Sequence, residues 1–379
     1  MDSSDNSRNS GQWSVNSGRS RLTTDHWPLT TDHRPLITSI DAHTAGEPLR
    51  IITGGLPPIP GDTILAKRRH AQEHLDGLRT ALMWEPRGHA DMYGCIPTEP
   101  TTPDGTLGVL FLHNEGWSTM CGHGVIGLVK VGIETGLLAA DPVVRLDTPA
   151  GRVTAYPHFD DDGRVTGVSF DNVPSFVYAL DRTVDVPGLG RVRYDLAFGG
   201  AFYAYVRAEE AGVGLTPADF RQLIDLGTRI KRAVMDAGIP QHPFEPDLSL
   251  LYGVIFVGQS PVSSLQSLSS EEIGDWGLEM LRSREVCVFA DGEVDRSPTG
   301  TGVSGRAALH YAKGEIGLNE PFVVESILGT TFTGEVVEVT TFGPYPAVVP
   351  RVSGTAYIVG RNEWVIDPRD PLGTGFLLR

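Results

Sequence analysis

The chain has 379 residues, 40% of them hydrophobic, and a formal charge of −16 from 31 basic and 47 acidic residues. That length favours two domains over one, since single cores stop growing at about 250–300 residues. An acidic chain without a Lys/Arg-rich run excludes nucleic acid and anionic membrane surfaces as partners.

Three cysteines, Cys95, Cys121 and Cys287, are too few for a secreted disulfide framework, and no CxxC or HxxxH spacing is read as a metal site. No apolar run reaches the roughly 18 residues of a spanning helix. The expectation is a soluble protein of a reducing, cytoplasmic setting.

Residues 1–35 are rich in Ser, Asn, Thr and Asp and carry an imperfect repeat, Leu22-Thr-Thr-Asp-His-Trp-Pro28 followed by Leu29-Thr-Thr-Asp-His-Arg-Pro35. Too little apolar surface is available there to offset ordering entropy, which predicts a disordered tail. The scattered Asp residues speak against a transit peptide. Ordered structure is expected from Ile37, where Leu36-Ile-Thr-Ser-Ile-Asp-Ala-His43 reads as a strand entering the turn Thr44-Ala-Gly-Glu-Pro48. Glu47 in that turn is open to two readings, a structural hydrogen-bond acceptor or a direct role. Asp62 is the expected N-cap of a polar helix through about Arg79. In Trp84-Glu-Pro-Arg-Gly-His-Ala-Asp-Met-Tyr93, His89 and Asp91 read better as a buried polar pair shaping the loop than as an acid/base couple. No third orienting group is in view for them.

Leu107–Leu112 reads as a buried strand. From His123 to about Thr135 nearly every residue is apolar or Gly, which predicts a helix enclosed on all sides and stopped by Gly136. Residues 143–173 alternate as strands, with turns at Pro149-Ala-Gly151 and Asp160-Asp-Asp-Gly163. Beyond Pro174 a second domain is expected. It begins with a strand over Phe198–Val206 and a helix opened by Thr216-Pro217 and closed by Gly238. Strands at Tyr252–Val257 and around Cys287 lead to a helix from Val303 to about Ala312, stopped by Gly314, and strands over Phe332–Thr341 and Gly354–Val359 follow. Cys95 and Cys287, in apolar strand-like surroundings, read as inert core thiols. The division that results is residues 36–173 plus 355–379, carrying Cys121, and 174–354, carrying Asp295 and Thr299.

The chemistry concentrates in a stretch that occurs twice. Cys121-G-x-G-V-x-G is echoed by Thr299-G-x-G-V-x-G, and the leading residue is Cys in one copy and Thr in the other. A glycine-rich turn opening a helix presents free backbone N–H groups and a positive dipole end, a ready site for an anion. Two such turns facing each other could hold one carboxylate, on the amides of Gly122 and His123 from one side and Gly300 and Thr301 from the other. The same dipole is expected to push a thiol at Cys121 toward thiolate, from a reference pKa of about 8.5. His123 is read as contributing its backbone, with its ring as a further bias on that thiol.

Met120-Cys-Gly-His-Gly124 and Asp295-Arg-Ser-Pro-Thr-Gly-Thr-Gly302 resemble the paired active-site motifs of the proline racemase family, and the likeness covers most of residues 38–360. The resemblance implies an α+β fold of diaminopimelate-epimerase type: two pseudo-symmetric domains, each an antiparallel, barrel-like sheet around a central helix. It also implies that Asp295 pairs with a ring ammonium, against its plainer reading as a helix cap, and that Tyr93 lies beside the substrate ring. Members with Cys in both motifs resemble racemases or epimerases of proline and hydroxyproline. The Cys-then-Thr pattern is similar to that of trans-3-hydroxy-L-proline dehydratases.

Racemisation needs a proton carrier on each face of the ring, and a Thr299 hydroxyl is too weak an acid and base for that without an activator. Elimination needs only one. The expected reaction is therefore dehydration of a small hydroxylated proline, with Cys121 as base and Thr299 either orienting the substrate or protonating the departing hydroxyl. It requires no PLP, flavin or metal. The rivals are an epimerase or racemase with a different second acid/base, and a catalytically silent amino-acid-binding protein. Ser118, Tyr93 and Phe289 are candidate pocket walls, and a homodimer is compatible with the sequence.

Overall fold

A computed structural model describes residues 36–260 and 280–378, so the expectation for residues 1–35 lies outside the described residues. Among the described residues, eighteen strands join through hydrogen bonds into one sheet network, and the class is α+β. The first strand, Leu36–Thr44, pairs antiparallel with the late strand Ala356–Val365, from Leu36 opposite Val365 to Thr44 opposite Ala356. The end of the chain thus closes the sheet around its beginning.

Two helices run through the folded sheet. The first, Gly122–Glu134, is buried over its first eleven residues. It packs against Leu36–Thr44, Val165–Asp171 and Ala356–Val365, and its Val125, Ile126 and Val129 are fully buried. The second, Gly300–Lys313, lies against Ser175–Val186, Thr331–Phe342 and Tyr345–Gly354. Burying a helix on nearly all sides leaves little room for a polar stripe, which is why the first reads as mostly apolar and glycine, while the second keeps Arg306 and Lys313 on its less buried side. Each ends at a left-handed glycine, Gly136 at φ 75° and Gly314 at φ 70°. An amphipathic helix, Phe220–Ala237, covers the outside of the sheet with Leu223, Leu226 and Ile230 inward. The largest core runs continuously through both halves of the chain. A smaller one lies under the helices that follow residue 63.

Several local expectations are corrected. The helix expected from Asp62 to Arg79 is two helices, Ile64–His74 and Asp76–Met83, and its cap is Thr63, whose hydroxyl accepts the Ala66 N–H at 3.0 Å. Phe198–Val206 is not one strand but the end of Gly190–Phe198 and the start of Phe202–Arg207, turning at Gly199-Gly200 with Gly200 at φ 99°. Glycine at positive φ marks a reversal there rather than a flat strand. The Thr216-Pro217 start is observed as a short 3₁₀ turn with a capping box to Asp219, leading directly into Phe220–Ala237. No helix among the described residues is long and apolar enough to cross a membrane.

Candidate active site

The two glycine-rich turns meet head to head. A Cβ built on Gly122 would lie 2.6 Å from the Gly300 Cα, and one built on Gly300 would lie 2.7 Å from the Gly122 Cα. Any larger residue at either position would force the helix ends apart. Because first-turn amides have no intrahelical acceptor, the two ends together aim their N–H groups and positive dipole ends at one point. The small cavity there is lined by Cys121, Gly122, His123, Asp295, Thr299, Gly300 and Thr301, among others. All seven site residues read from the sequence are brought together.

The framework behind the cavity is long-range. Thr44, in the turn after the first strand, donates its hydroxyl to the His123 carbonyl at 2.9 Å and so fixes the first helix. The neighbouring Glu47 is wholly buried and accepts the Arg296 N–H at 2.7 Å, tying the first strands to the second motif. That is the acceptor reading of Glu47. Burial first, then the nearby Asp295 carboxylate, raise its pKa well above the usual carboxylate range. Asp295 accepts the Ser297 N–H at 2.7 Å, and the Ser297 hydroxyl accepts the Thr299 N–H at 3.1 Å. The residue capping the second helix is Thr299, not Asp295.

The two leading residues differ in more than their head groups. Cys121 is an extended N-cap at φ −148°, ψ 108°, and its sulfur accepts the Gly124 N–H at 3.2 Å. Its sulfur also lies 3.2 Å from His123 Nδ1 and 3.7 Å from Nε2. Thr299 sits at φ 64°, ψ 90° and makes no capping bond with its side chain. For a β-branched residue that conformation costs on the order of 1–3 kcal/mol, and strain of this kind gathers where chemistry requires it.

Burial overturns the expected thiolate. It pushes the Cys121 thiol well above its ordinary value, although the Gly124 N–H and the Tyr93 hydroxyl pull the other way. Complete burial disfavours the charged form more than one helix end favours it. His123 is shifted oppositely: burial lowers its pKa, against Asp295 and a hydrogen bond to the Pro48 carbonyl. Burial thus favours the neutral form of both groups.

Cys287 is a core thiol that also reaches the site. It is 1% exposed, as an apolar strand predicts, yet it lines the cavity, with the Thr299 hydroxyl in hydrogen-bonding reach of its sulfur. Burial and Asp295 hold this thiol well above its ordinary value. Cys95 remains a core thiol, raised by burial alone. His89 and Asp91 do not pair: Asp91 turns inward to Arg296 Nη2 at 2.9 Å, and His89 is exposed.

Tyr93 and Phe289 line the cavity, while Ser118 faces a neighbouring cleft. Sequence reasoning missed Tyr203, whose hydroxyl is 2.7 Å from that of Thr301, and Tyr252, 3.4 Å from the Tyr93 hydroxyl. The buried pair His113–Glu293, 3.1 Å apart, was missed as well. One signal existed for Tyr203: it shares a strand face with Tyr205, two hydroxyl-tipped rings in an otherwise apolar run, and both reach the second helix. The expectation of no HxxxH spacing is corrected by His70 and His74, which stand four apart on Ile64–His74 and pack ring to ring at 4.4 Å. Among the described residues no group of three or more His, Cys, Asp or Glu could hold a metal ion.

Two opposed helix ends inside a doubled sheet, with a thiol at the mouth of one, define a class of α+β proteins with a single site between repeated halves. The chain belongs to the proline racemase family: the family model described as proline racemase matches residues 39–377. Among its relatives, a trans-3-hydroxy-L-proline dehydratase of Colwellia psychrerythraea is 48% identical over 90% of this chain and 93% of its own length. A 3-hydroxyproline 2-epimerase of Burkholderia multivorans is 42% identical over 90% of this chain and 98% of its own. Among solved structures, a hydroxyproline epimerase from Agrobacterium vitis with bound trans-4-hydroxy-L-proline superposes with a TM-score of 0.81 at 29% identity. It covers 91% of this chain and 97% of that one.

Proposed function

We propose that this protein dehydrates trans-3-hydroxy-L-proline to 1-pyrroline-2-carboxylate. The observation that carries the reading is the unequal pair across one carboxylate cradle, the Cys121 sulfur against the Thr299 hydroxyl. The first-turn amides of the two helices would bind the substrate carboxylate, and they stabilise it further as charge moves onto its oxygens when the α-proton leaves. Asp295, on the cavity wall, would take the ring ammonium. Cys121 would remove the α-proton, the electrons would form the Cα–C3 double bond, and the C3 hydroxyl would depart as water. The resulting enamine tautomerises to the imine. The Colwellia relative supports this choice of substrate.

A second reading, epimerisation at Cα, is favoured by one observation. The Cys287 thiol behind Thr299 could pass a proton through that hydroxyl to the opposite face of the ring, and the Burkholderia relative is an epimerase. Incubating the protein with trans-3-hydroxy-L-proline in D₂O separates the two. Dehydration predicts stoichiometric imine, trapped by borohydride as proline, with no inverted 3-hydroxyproline. It also predicts that Cys121→Ser loses roughly 10³-fold or more in kcat while Cys287→Ala stays within several-fold of wild type. Accumulation of the Cα epimer, abolished by Cys287→Ala, would establish the second reading instead.

A further inference from the structure

The stereochemistry of the proposed substrate makes a demand that the two half-sites do not meet equally. In trans-3-hydroxy-L-proline the hydroxyl stands on the ring face opposite the carboxylate. The α-hydrogen, sharing its carbon with the carboxylate, also stands on the opposite face. Hydrogen and hydroxyl therefore leave from the same side. A base at Cys121 means that the departing oxygen also leaves along the Cys121 wall, away from Thr299.

The group on that wall able to supply a proton is the imidazole of His123. Its Nδ1 lies 3.2 Å and its Nε2 3.7 Å from the Cys121 sulfur, His123 is among the residues lining the cavity, and Tyr93 packs edge-on against its ring at 4.7 Å. The Pro48 carbonyl is a hydrogen-bond partner of the ring, a fixed acceptor that helps hold the imidazole beside the thiol. Tyr93 is the other hydroxyl near the sulfur, and burial makes it a weaker acid than an ordinary tyrosine. Resting on the dehydratase reading, we propose that His123 is the general acid that protonates the leaving 3-hydroxyl, and that it works with Cys121 as one closed proton circuit.

The balance is complete without an outside proton. The Cys121 thiol gives its proton to His123, leaving thiolate and imidazolium. The thiolate takes the α-proton and becomes thiol again. The Cα–H electron pair forms the Cα–C3 bond, the C3–O bond breaks, and the imidazolium proton goes to that oxygen as water departs. Cysteine and histidine finish in the neutral forms in which they began. The burial that denies Cys121 a standing thiolate, together with the lowered basicity of His123, therefore leaves the pair in its working state. Of the two roles open to Thr299, this geometry favours orientation over proton donation.

The test compares leaving groups. Fluoride departs without needing a proton, so trans-3-fluoro-L-proline bypasses the acid but not the base. For His123→Gln we expect loss of hydroxyproline dehydration by roughly 10²–10⁴-fold, with fluoride release reduced at least tenfold less than that. In wild type, cis-3-hydroxy-L-proline, whose hydroxyl faces Thr299, should turn over at least a hundredfold more slowly than the trans isomer. Equal losses on fluoro and hydroxy substrates, dehydration retained within threefold, or comparable turnover of the cis isomer would each overturn the assignment. Retained binding of the planar analogue pyrrole-2-carboxylate checks that the variant is folded, and His123→Asn replaces it if it is not. Wild type forming no imine from the trans isomer would instead sink the dehydratase reading, a separate result.

Discussion

The two helix mouths are built from one repeated sequence and end in opposite local states. At Cys121 the backbone is relaxed and extended, and the side chain caps its own helix through the Gly124 amide. At Thr299 the backbone is held at φ 64° and the side chain leaves its helix uncapped, turning toward Cys287. Repetition fixed the parts that bind, the glycines and amides that touch across the centre. It left free the positions that react. Symmetry in the cradle and asymmetry in the proton carriers are thus separable properties, and substitutions can attack them one at a time.

Breaking the symmetric part should cost more than altering the second post. Gly300→Ala places a methyl group at 2.7 Å from the Gly122 Cα, so the helix ends must part. Misplacing both amide sets by a fraction of an ångström should lower kcat/KM by about 10²-fold or more, measured as imine formation, while the thermal midpoint moves only modestly. A variant with wild-type kcat/KM would show that the contact does not shape the cradle.

Thr299→Cys attacks the asymmetry instead. Cysteine is not β-branched and fits the left-handed backbone with less strain. Dehydration should fall roughly tenfold while α-deuterium with inverted configuration appears in recovered substrate. Absence of any inversion would mean that the second post does not face the α-carbon.

The smallest expected effect concerns the strut between the halves. Glu47 has a folded pKa raised above its unfolded value of about 4.5, so folding takes up a proton and stability falls as pH rises from that value toward the folded pKa. Glu47→Gln has no such loss. Its thermal midpoint relative to wild type should climb by roughly 1–3 °C between pH 5 and pH 8; a difference that stays flat would show that Glu47 is ionised in the fold.

Much of this was legible in the sequence for a local reason. A helix mouth is written in consecutive residues, so Cys121-Gly122-His123 and Thr299-Gly300-Thr301 announced both turns, and their likeness announced that they meet. The enclosing strands showed in alternation, and Gly136 and Gly314 marked the helix ends. What stayed hidden depends on pairing across the chain. Cys287 reaches the cavity because its strand turns that face inward beside Phe289, and an apolar run buried on both sides does not say which face that is. Arg296 binding Asp91 and Glu47, and Glu293 meeting His113, join residues more than a hundred positions apart. The break at Leu75 did have a local mark that went unread, the pair Asp76-Gly77, two weak helix formers where the second segment begins.

Cys121, Asp295 and Thr299 are each at most 6% exposed. A proline-sized ring that is to reach side chains so enclosed needs the surrounding walls to make room. Entry and exit therefore oblige the protein to breathe once per cycle. Whatever motion admits the ring must end with Gly122 and Gly300 back in contact, since only then do the two sets of amides converge.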